Sequence, residues 1–387
     1  MRTILLSGLM AIAPLSLHAA PCGGSFSDFL TAIAQEAVAA GASPDAAASY
    51  LNGARIDEKV LARDRGQSIF RMEFIEFSRR LISQNRIDSG RAMAKKYSAA
   101  FDRAATEFGV PRGILLAFWA FETDYGQVQG DFNTRDALVT LGHDCRRPDL
   151  FQPQILAAIS LHERGDFPVD TLGAWAGEVG MVQMLPADIL ERGVDGDGDG
   201  HVSLKTSAPD ALLSGARLLQ HHGWRAGEPW LVEVKVPKQM DWALSGVDQF
   251  RPVGEWQAMG VTPRGETLPK GEAALILPQG RKGPAFLAYP NFSTLFEWNQ
   301  SFTYVLTAAY FATRLEGAPP YDAGTPEPGL EVEEMKALQE KLLARGYDVG
   351  KIDGILGAGT RKAVQAEQVR LGLPADAWPT RALLDAL

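Results

Sequence analysis

Apolar and polar positions follow a helical period along most of the chain. Phe26, Phe29, Leu30 and Ile33 recur on one helix face, and Ser43-Pro44-Asp45 has the composition of a helix start. Residues 67–83 alternate apolar and charged faces through Ile69, Phe70, Met72, Phe74, Ile75 and Phe77, and 91–108 reads as another amphipathic helix. More helices are predicted up to Leu141 and over 154–164, 210–222 and 291–315. The period changes within 229–290. Residues 231–236 alternate in strand fashion and 273–277 form a second strand segment, with turn residues between them. The pattern predicts a mainly α domain carrying a small β-containing insertion. Residues 316–329, with four prolines and three glycines, read as a linker. The last stretch, 331–387, predicts a compact unit of short helices with Val332, Met335, Leu338, Leu342, Leu343, Val364, Val369 and Leu371 as its apolar positions.

One helix departs from the amphipathic rule. In 109–126, Ile114 to Phe121 leaves almost no polar face, which marks a core helix. Pro111 suits its first turn and Gly126 its stop. Glu122 follows the apolar run directly. Burial and the negative end of the helix dipole both disfavour its ionised form, as a general acid requires. The alternative is a helix-end Glu in solvent or a structural ion-pair partner.

Composition adds compartment and partners. Arg2, the apolar stretch 4–17 and the small residues Ala19 and Ala20 within 17–20 read as a cleaved signal peptide over 1–20, too short for a membrane span. Pro21 before Cys22 does not fit a lipidation signal. The chain has two cysteines, Cys22 and Cys145, which in an exported protein most simply form one disulfide. A net charge of −9 argues against a nucleic-acid partner.

Three further segments carry chemistry. Arg146 and Arg147 form a pair that is either a solvated feature or a planar grip on carboxylates or acetamido groups. Residues 172–186 are rich in small residues around Trp175, with Gln183 following; glycines there admit a ligand to the backbone, or simply make a tight turn. Residues 195–206 follow the calcium-loop pattern. Asp195, Asp197 and Asp199 stand at positions one, three and five, His201 offers its backbone carbonyl at seven, and Thr206 replaces the usual Glu at twelve. Asp210 is the nearest carboxylate to complete the shell.

Together these residues resemble the lytic murein transglycosylase B family, followed by a peptidoglycan-binding module. The resemblance covers about Phe26 to Leu315 and rests on five segments in the family's order. They are Phe121-Glu122-Thr123-Asp124-Tyr125-Gly126, Arg146-Arg147, Gly180-Met181-Val182-Gln183-Met184-Leu185-Pro186, the loop at 195–203 with the helix ending His222-Gly223-Trp224, and Asn291-Phe292 with Trp298-Asn299-Gln300-Ser301-Phe302-Thr303-Tyr304. Glu178 stands where relatives often have Ala, and Glu367 in the tail where an aromatic usually precedes Gln368.

The resemblance implies a lysozyme-like helical catalytic domain over 21–315, a linker over 316–330 and a small helical peptidoglycan-binding domain over 331–387. It implies cleavage of the MurNAc-GlcNAc bond with a 1,6-anhydro product, Glu122 being the sole acid and base. Arg146, Arg147, Gln183, Trp298, Asn299, Ser301 and Tyr304 would bind the glycan. Calcium on Asp195, Asp197, Asp199, His201 and Asp210 would be structural, with no cofactor needed for the chemistry. The expected protein is a periplasmic monomer acting on peptidoglycan strands, with other wall-remodelling proteins as possible partners. A hydrolytic muramidase using Glu178 as a second carboxylate, or a non-catalytic wall-binding protein, are the alternatives.

Overall fold

The computed structural model describes residues 20–66, 72–265 and 267–387. The predicted leader lies outside the described residues except for Ala20, and so does part of the helix predicted over 67–83, which is described as Phe74–Leu81. No helix among the described residues is long and apolar enough to cross a membrane.

The apolar helix runs Arg112–Thr123 with Pro111 as its N-cap. Its residues from Gly113 to Ala120 are all buried. The Phe302–Leu315 helix packs along it, and the Gln84–Lys96 and Ser98–Glu107 helices cover other sides. Gly113 allows this closeness, because a Cβ there would lie 2.8 Å from the Ala312 carbonyl oxygen. The single helix expected over 91–108 is thus two, parted at Tyr97 (φ −111°, ψ 30°). The Tyr97 ring packs edge-on against Trp119 at 5.6 Å, so a tertiary contact overrides the local period. The segment expected as one helix over 291–315 is also interrupted. A short helix, Pro290–Thr294, and a 3₁₀ turn, Leu295–Glu297, precede Phe302–Leu315, whose N-cap is Ser301.

The insertion is an antiparallel sheet of five strands, in the spatial order Phe250–Pro252, Glu272–Ile276, Ala285–Ala288, Leu231–Lys235 and Thr262–Pro263. Leu231 pairs with Ala288 and Ala274 also with Ala288 across the three central strands. One sheet face gives Val234, Leu275 and Leu287 to a local core closed by Trp242 and Trp256. The other gives Leu231, Ile276 and Phe286 to the main helical core. A strand covered on both faces shows no alternation, which is why Ala285–Ala288 carries no strand signal of its own.

The tail folds as Val332–Ala344, Ala358–Arg370 and Arg381–Ala386 around Met335, Leu338, Leu342, Val364 and Leu383. Leu343 and Val369, expected in its core, are instead 50% and 56% exposed. They lie one residue beyond Leu342 and Gln368, which hold the inward positions, and a helix turns its next residue outward. Glu367 is buried and satisfied by the Tyr347 hydroxyl (2.9 Å) and Arg370 (2.7 Å), an ion pair where an aromatic is usual. The proline-rich segment is strapped down rather than free. Thr325 N–H donates to Lys282 O at 2.9 Å, Trp378 Nε1 donates to Glu327 O at 2.9 Å, and Tyr321 packs on Tyr310 at 4.8 Å.

Cys22 and Cys145 form a disulfide with Cα atoms 5.2 Å apart, closing a sequence separation of 123 residues. Gly23 N–H donates to His143 O at 2.8 Å beside it.

Candidate functional site

Glu122 lies in the last turn of the central helix, half-buried at its end. Trp298 Nε1 donates to Glu122 Oε1 at 3.1 Å, and the Tyr304 hydroxyl donates to the same oxygen. Both partners come from the far end of the domain. Trp298 is held by stacking on Phe118, one turn before Glu122, at 4.2 Å and 12°. Tyr304 lies in the first turn of the Phe302–Leu315 helix, beside the rings of Phe118 (6.4 Å) and Phe121 (5.9 Å). No described residue bonds Glu122 Oε2.

This environment sets the protonation of Glu122. Burial among aromatic rings dominates, the Tyr304 and Trp298 donors partly offset it, and the charge of Glu178 adds to it; the carboxyl is pushed up to about 7. Two donors on Oε1 make it the acceptor oxygen, so the proton resides on Oε2. Burial also raises the Tyr304 hydroxyl well above its ordinary value, which keeps it a donor.

The sequence just after Glu122 locks the helix end. Asp124 and Tyr125 both have positive φ (50° and 60°). Asp124 pairs with Arg86 at 2.9 Å, and the Tyr125 hydroxyl donates to Arg86 O at 2.8 Å. Thr123 Oγ1 donates to Met181 O at 2.6 Å and accepts from Gly126 N–H at 2.9 Å. Met181 in turn donates its N–H to Leu204 O at 2.8 Å. Gly180 is required there, since a Cβ would lie 2.5 Å from that same Leu204 oxygen. The helix end that carries Glu122 is therefore wired through Thr123 and Met181 to Leu204, near the end of the acidic loop.

In that loop, Asp195, Asp197 and Asp210 bring carboxylate oxygens within 4.8 Å of one another. The N–H groups of Gly200, Gly198 and Asp199 hold the Asp195 carboxyl below the usual range. Asp210 clamps both ends of the loop, accepting from Gly196 N–H (2.9 Å) and Ser203 N–H (2.7 Å). Ser207 Oγ lies 2.7 Å from Asp197 Oδ2 and 2.8 Å from Asp210 Oδ1, so one hydroxyl proton serves two carboxylate oxygens. All-oxygen donors converging with surplus negative charge suit a hard divalent cation. Asp199 lies outside the cluster, bonded to His201 N–H at 2.8 Å, and the His201 ring faces Asp166 at 2.8 Å.

The other sequence candidates are distributed as follows. Arg146 and Arg147 both grip Asp64, which is only 1% exposed, and Arg146 also donates to Asp64 O at 2.5 Å. Burial raises the Glu178 carboxyl, and the charge of Arg147 partly offsets that rise. Gln183 has φ 52° and turns Nε2 to Gly180 O at 2.8 Å. Asn299 Oδ1 accepts from Ser301 N–H (2.9 Å), and Ser301 caps the helix at Tyr304 N–H (3.4 Å), so both seat Tyr304. Sequence reasoning missed Asp64, flanked by arginines in a polar helix with nothing to mark it. It also missed Phe118, whose place four residues before Glu122 could have been read from helix spacing.

Residues 25–313 match the family model described as Transglycosylase SLT domain, and 331–387 match Putative peptidoglycan binding domain. The chain is 28% identical over 236 residues to Membrane-bound lytic murein transglycosylase B of Escherichia coli (strain K12), covering 60% of this chain and 64% of that relative, just under two thirds of its length. SltB3 from Pseudomonas aeruginosa, crystallised in complex with NAG-anhNAM-pentapeptide, is 35% identical with a TM-score of 0.85, over 94% of this chain and 99% of its own. Soluble lytic transglycosylase SltB1 from the same organism is 25% identical with a TM-score of 0.65, over 75% and 99%. With the family model spanning most of its length, the chain belongs to the transglycosylase SLT family and is similar to lytic murein transglycosylase B and the SltB proteins.

Proposed function

We propose that this chain cleaves the MurNAc-GlcNAc bond of peptidoglycan without water, and that Glu122 alone serves as acid and then base. The observation that carries this reading is the double hold on Glu122 Oε1, which leaves Oε2 free, in a setting that lifts the carboxyl to about 7. Glu122 Oε2 protonates the glycosidic oxygen as the bond to the anomeric carbon breaks. The substrate's acetamido group supports the positive charge that develops there. The ionised Glu122 then takes the proton of the MurNAc C6 hydroxyl, whose oxygen closes on the anomeric carbon. Tyr304 and Trp298, donating throughout, stabilise the anion between the two steps. SltB3 was crystallised with an anhydro-muropeptide, the product this mechanism gives.

Gln183, Asn299, Ser301 and the Arg146-Arg147 pair shape the cleft around this acid; the arginines act mainly through Asp64. Asp195, Asp197 and Asp210 hold calcium, which keeps the loop folded and takes no part in bond cleavage. The protein works in the periplasm on wall glycan, and the 331–387 module adds wall affinity.

Hydrolysis by a carboxylate pair is the competing reading, favoured by the electrostatic coupling of Glu178 to Glu122. A glycosidase needs its second carboxylate ionised, and burial works against that at Glu178, with the charge of Arg147 only partly offsetting it. Mass analysis of products from purified sacculi decides between them. Anhydro ends, lost in Glu122→Gln, are expected; reducing ends, or anhydro products persisting in Glu122→Gln, would overturn the reading.

A further inference from the structure

The helix Ala208–His221 carries a glycine that its own backbone does not require. Gly215 is buried in mid-helix and has no positive φ. Glycine at such a position weakens a helix relative to alanine, through the backbone freedom it loses on folding. Close approach of another backbone explains Gly113 and Gly180, but not Gly215. The three atoms nearest to a Cβ at 215, outside its own helix, belong to side chains: Trp298 Cη2 at 3.2 Å, Trp298 Cζ3 at 3.6 Å and Leu115 Cδ2 at 3.9 Å. The Leu115 contact is of ordinary length, so the indole of Trp298 is what occupies the space.

That indole is fixed on its other sides. Phe118 covers its face at 4.2 Å and 12°, and Nε1 donates to Glu122 Oε1 at 3.1 Å. Cη2 and Cζ3 form the ring edge remote from the pyrrole end, so helix 208–221 is the stop on which the indole rests. The helix is held in place in turn. Ser214 Oγ accepts from Val194 N–H at 2.9 Å, and Asp210, in the first turn, accepts from Gly196 N–H at 2.9 Å and Ser203 N–H at 2.7 Å. A methyl group added at 215 therefore displaces the indole and not the helix. The bond from Nε1 already lies near the long end of the usual range of roughly 2.7–3.2 Å, so a shift of about 0.3 Å weakens it.

We propose that Gly215 is a positioning residue for the reaction: the side chain it lacks leaves the slot that seats Trp298 against the acid. The inference rests on Glu122 being that acid. Trp298 supplies a donor to the carboxylate left after proton transfer, so the depth of the slot sets how well the anion is held. Helix 208–221 gives up some of its own stability at 215 so that a ring as large as indole can enter. Tyr304 and Glu178, the other groups that act on Glu122, are not among the near neighbours of a side chain at 215. A substitution there thus reaches the acid through Trp298 alone.

The test is a cycle of four full-length proteins: wild type, Gly215→Ala, Trp298→Phe and the double variant. Without substrate, the indole N–H resonance of Trp298, assigned by its absence from Trp298→Phe, reports the bond to Glu122. Gly215→Ala should move that proton upfield. On soluble glycan it should lower kcat about fivefold and raise the alkaline limb by about half a unit, because the Trp298 donor favours the ionised acid. In the Trp298→Phe background the same substitution should change kcat by less than about twofold and leave the limb in place. An unmoved indole resonance, an equal loss in both backgrounds, or a lower kcat with an unmoved limb would overturn the assignment. Should Gly215→Ala alone fail to fold, a double variant that melts with Trp298→Phe supports the slot, and one that also fails refutes it. An indole that shifts as expected in a protein releasing no anhydro ends would refute the reaction and leave the slot standing.

Discussion

The raised carboxyl of Glu122 has a cost that is measurable without any substrate. Between its ordinary value of 4.5 and its folded value of about 7, the native protein holds a proton that the unfolded chain has released. Stability must then fall as pH rises through that window, and the full penalty applies above it. Each unit is worth about 1.4 kcal/mol, so the upper bound is about 3 kcal/mol, and partial exposure of the side chain reduces it to about 2. Glu122→Gln removes the ionisation but keeps an oxygen for Trp298 and Tyr304 to donate to. For a cooperative unit of this size, 1 kcal/mol moves Tm by about 1.6 °C. The variant should melt with wild type at pH 4, and about 3–5 °C above it at pH 8, in paired calorimetric scans. Glu178 is coupled to Glu122, so the same pair of scans in a Glu178→Gln background isolates the Glu122 carboxyl. A difference that does not change with pH, or a variant less stable at pH 8, would refute the buried-acid argument whatever the catalytic result.

The same carboxyl predicts that kcat/KM on soluble glycan falls as pH rises through about 7, where the acid loses its proton. Tyr304→Phe removes a donor that favours the ionised form, so the alkaline limb should move up by about one unit while the rate at pH 6 drops about tenfold. Asp64→Asn should free Arg146 and Arg147 and cost about 3 kcal/mol in denaturant unfolding; an unchanged midpoint would show that the buried grip contributes nothing. Chelation, or Asp195→Asn, should lower Tm and slow turnover together, because the loop reaches Glu122 through Leu204, Met181 and Thr123. Slowed turnover with Tm unchanged would refute that route.

What the sequence made legible was local. The buried helix, its terminal acid, the short helices of the tail and the acidic loop all announce themselves locally in the chain. Contacts that make the site were not legible, because they join distant segments. Nothing near Trp298 or Tyr304 says that both side chains meet Glu122, so the sequence assigns them to sugar rather than to the acid. Arg146 and Arg147 are visible as a pair, but Asp64, which occupies them, is not. In the insertion, Ala285–Ala288 is buried on both faces and so lacks the alternation that exposed the neighbouring strand. At Tyr97 a helix breaks for the sake of Trp119, a reason that exists only in three dimensions.

The pinned proline-rich strap alters how the two modules share a glycan. A free linker of this length would let the tail wander over roughly 20 Å, and each binding event would have to recover that lost freedom. Here the ordering is completed during folding, through Thr325, Glu327 and Tyr321. Avidity then depends on geometry instead of tether length. A strand that fits both modules at their fixed separation engages them together, and one that does not gains nothing from the second. Under the proposed function the enzyme would act as a caliper on local wall architecture, and lengthening the strap would trade that selectivity for reach.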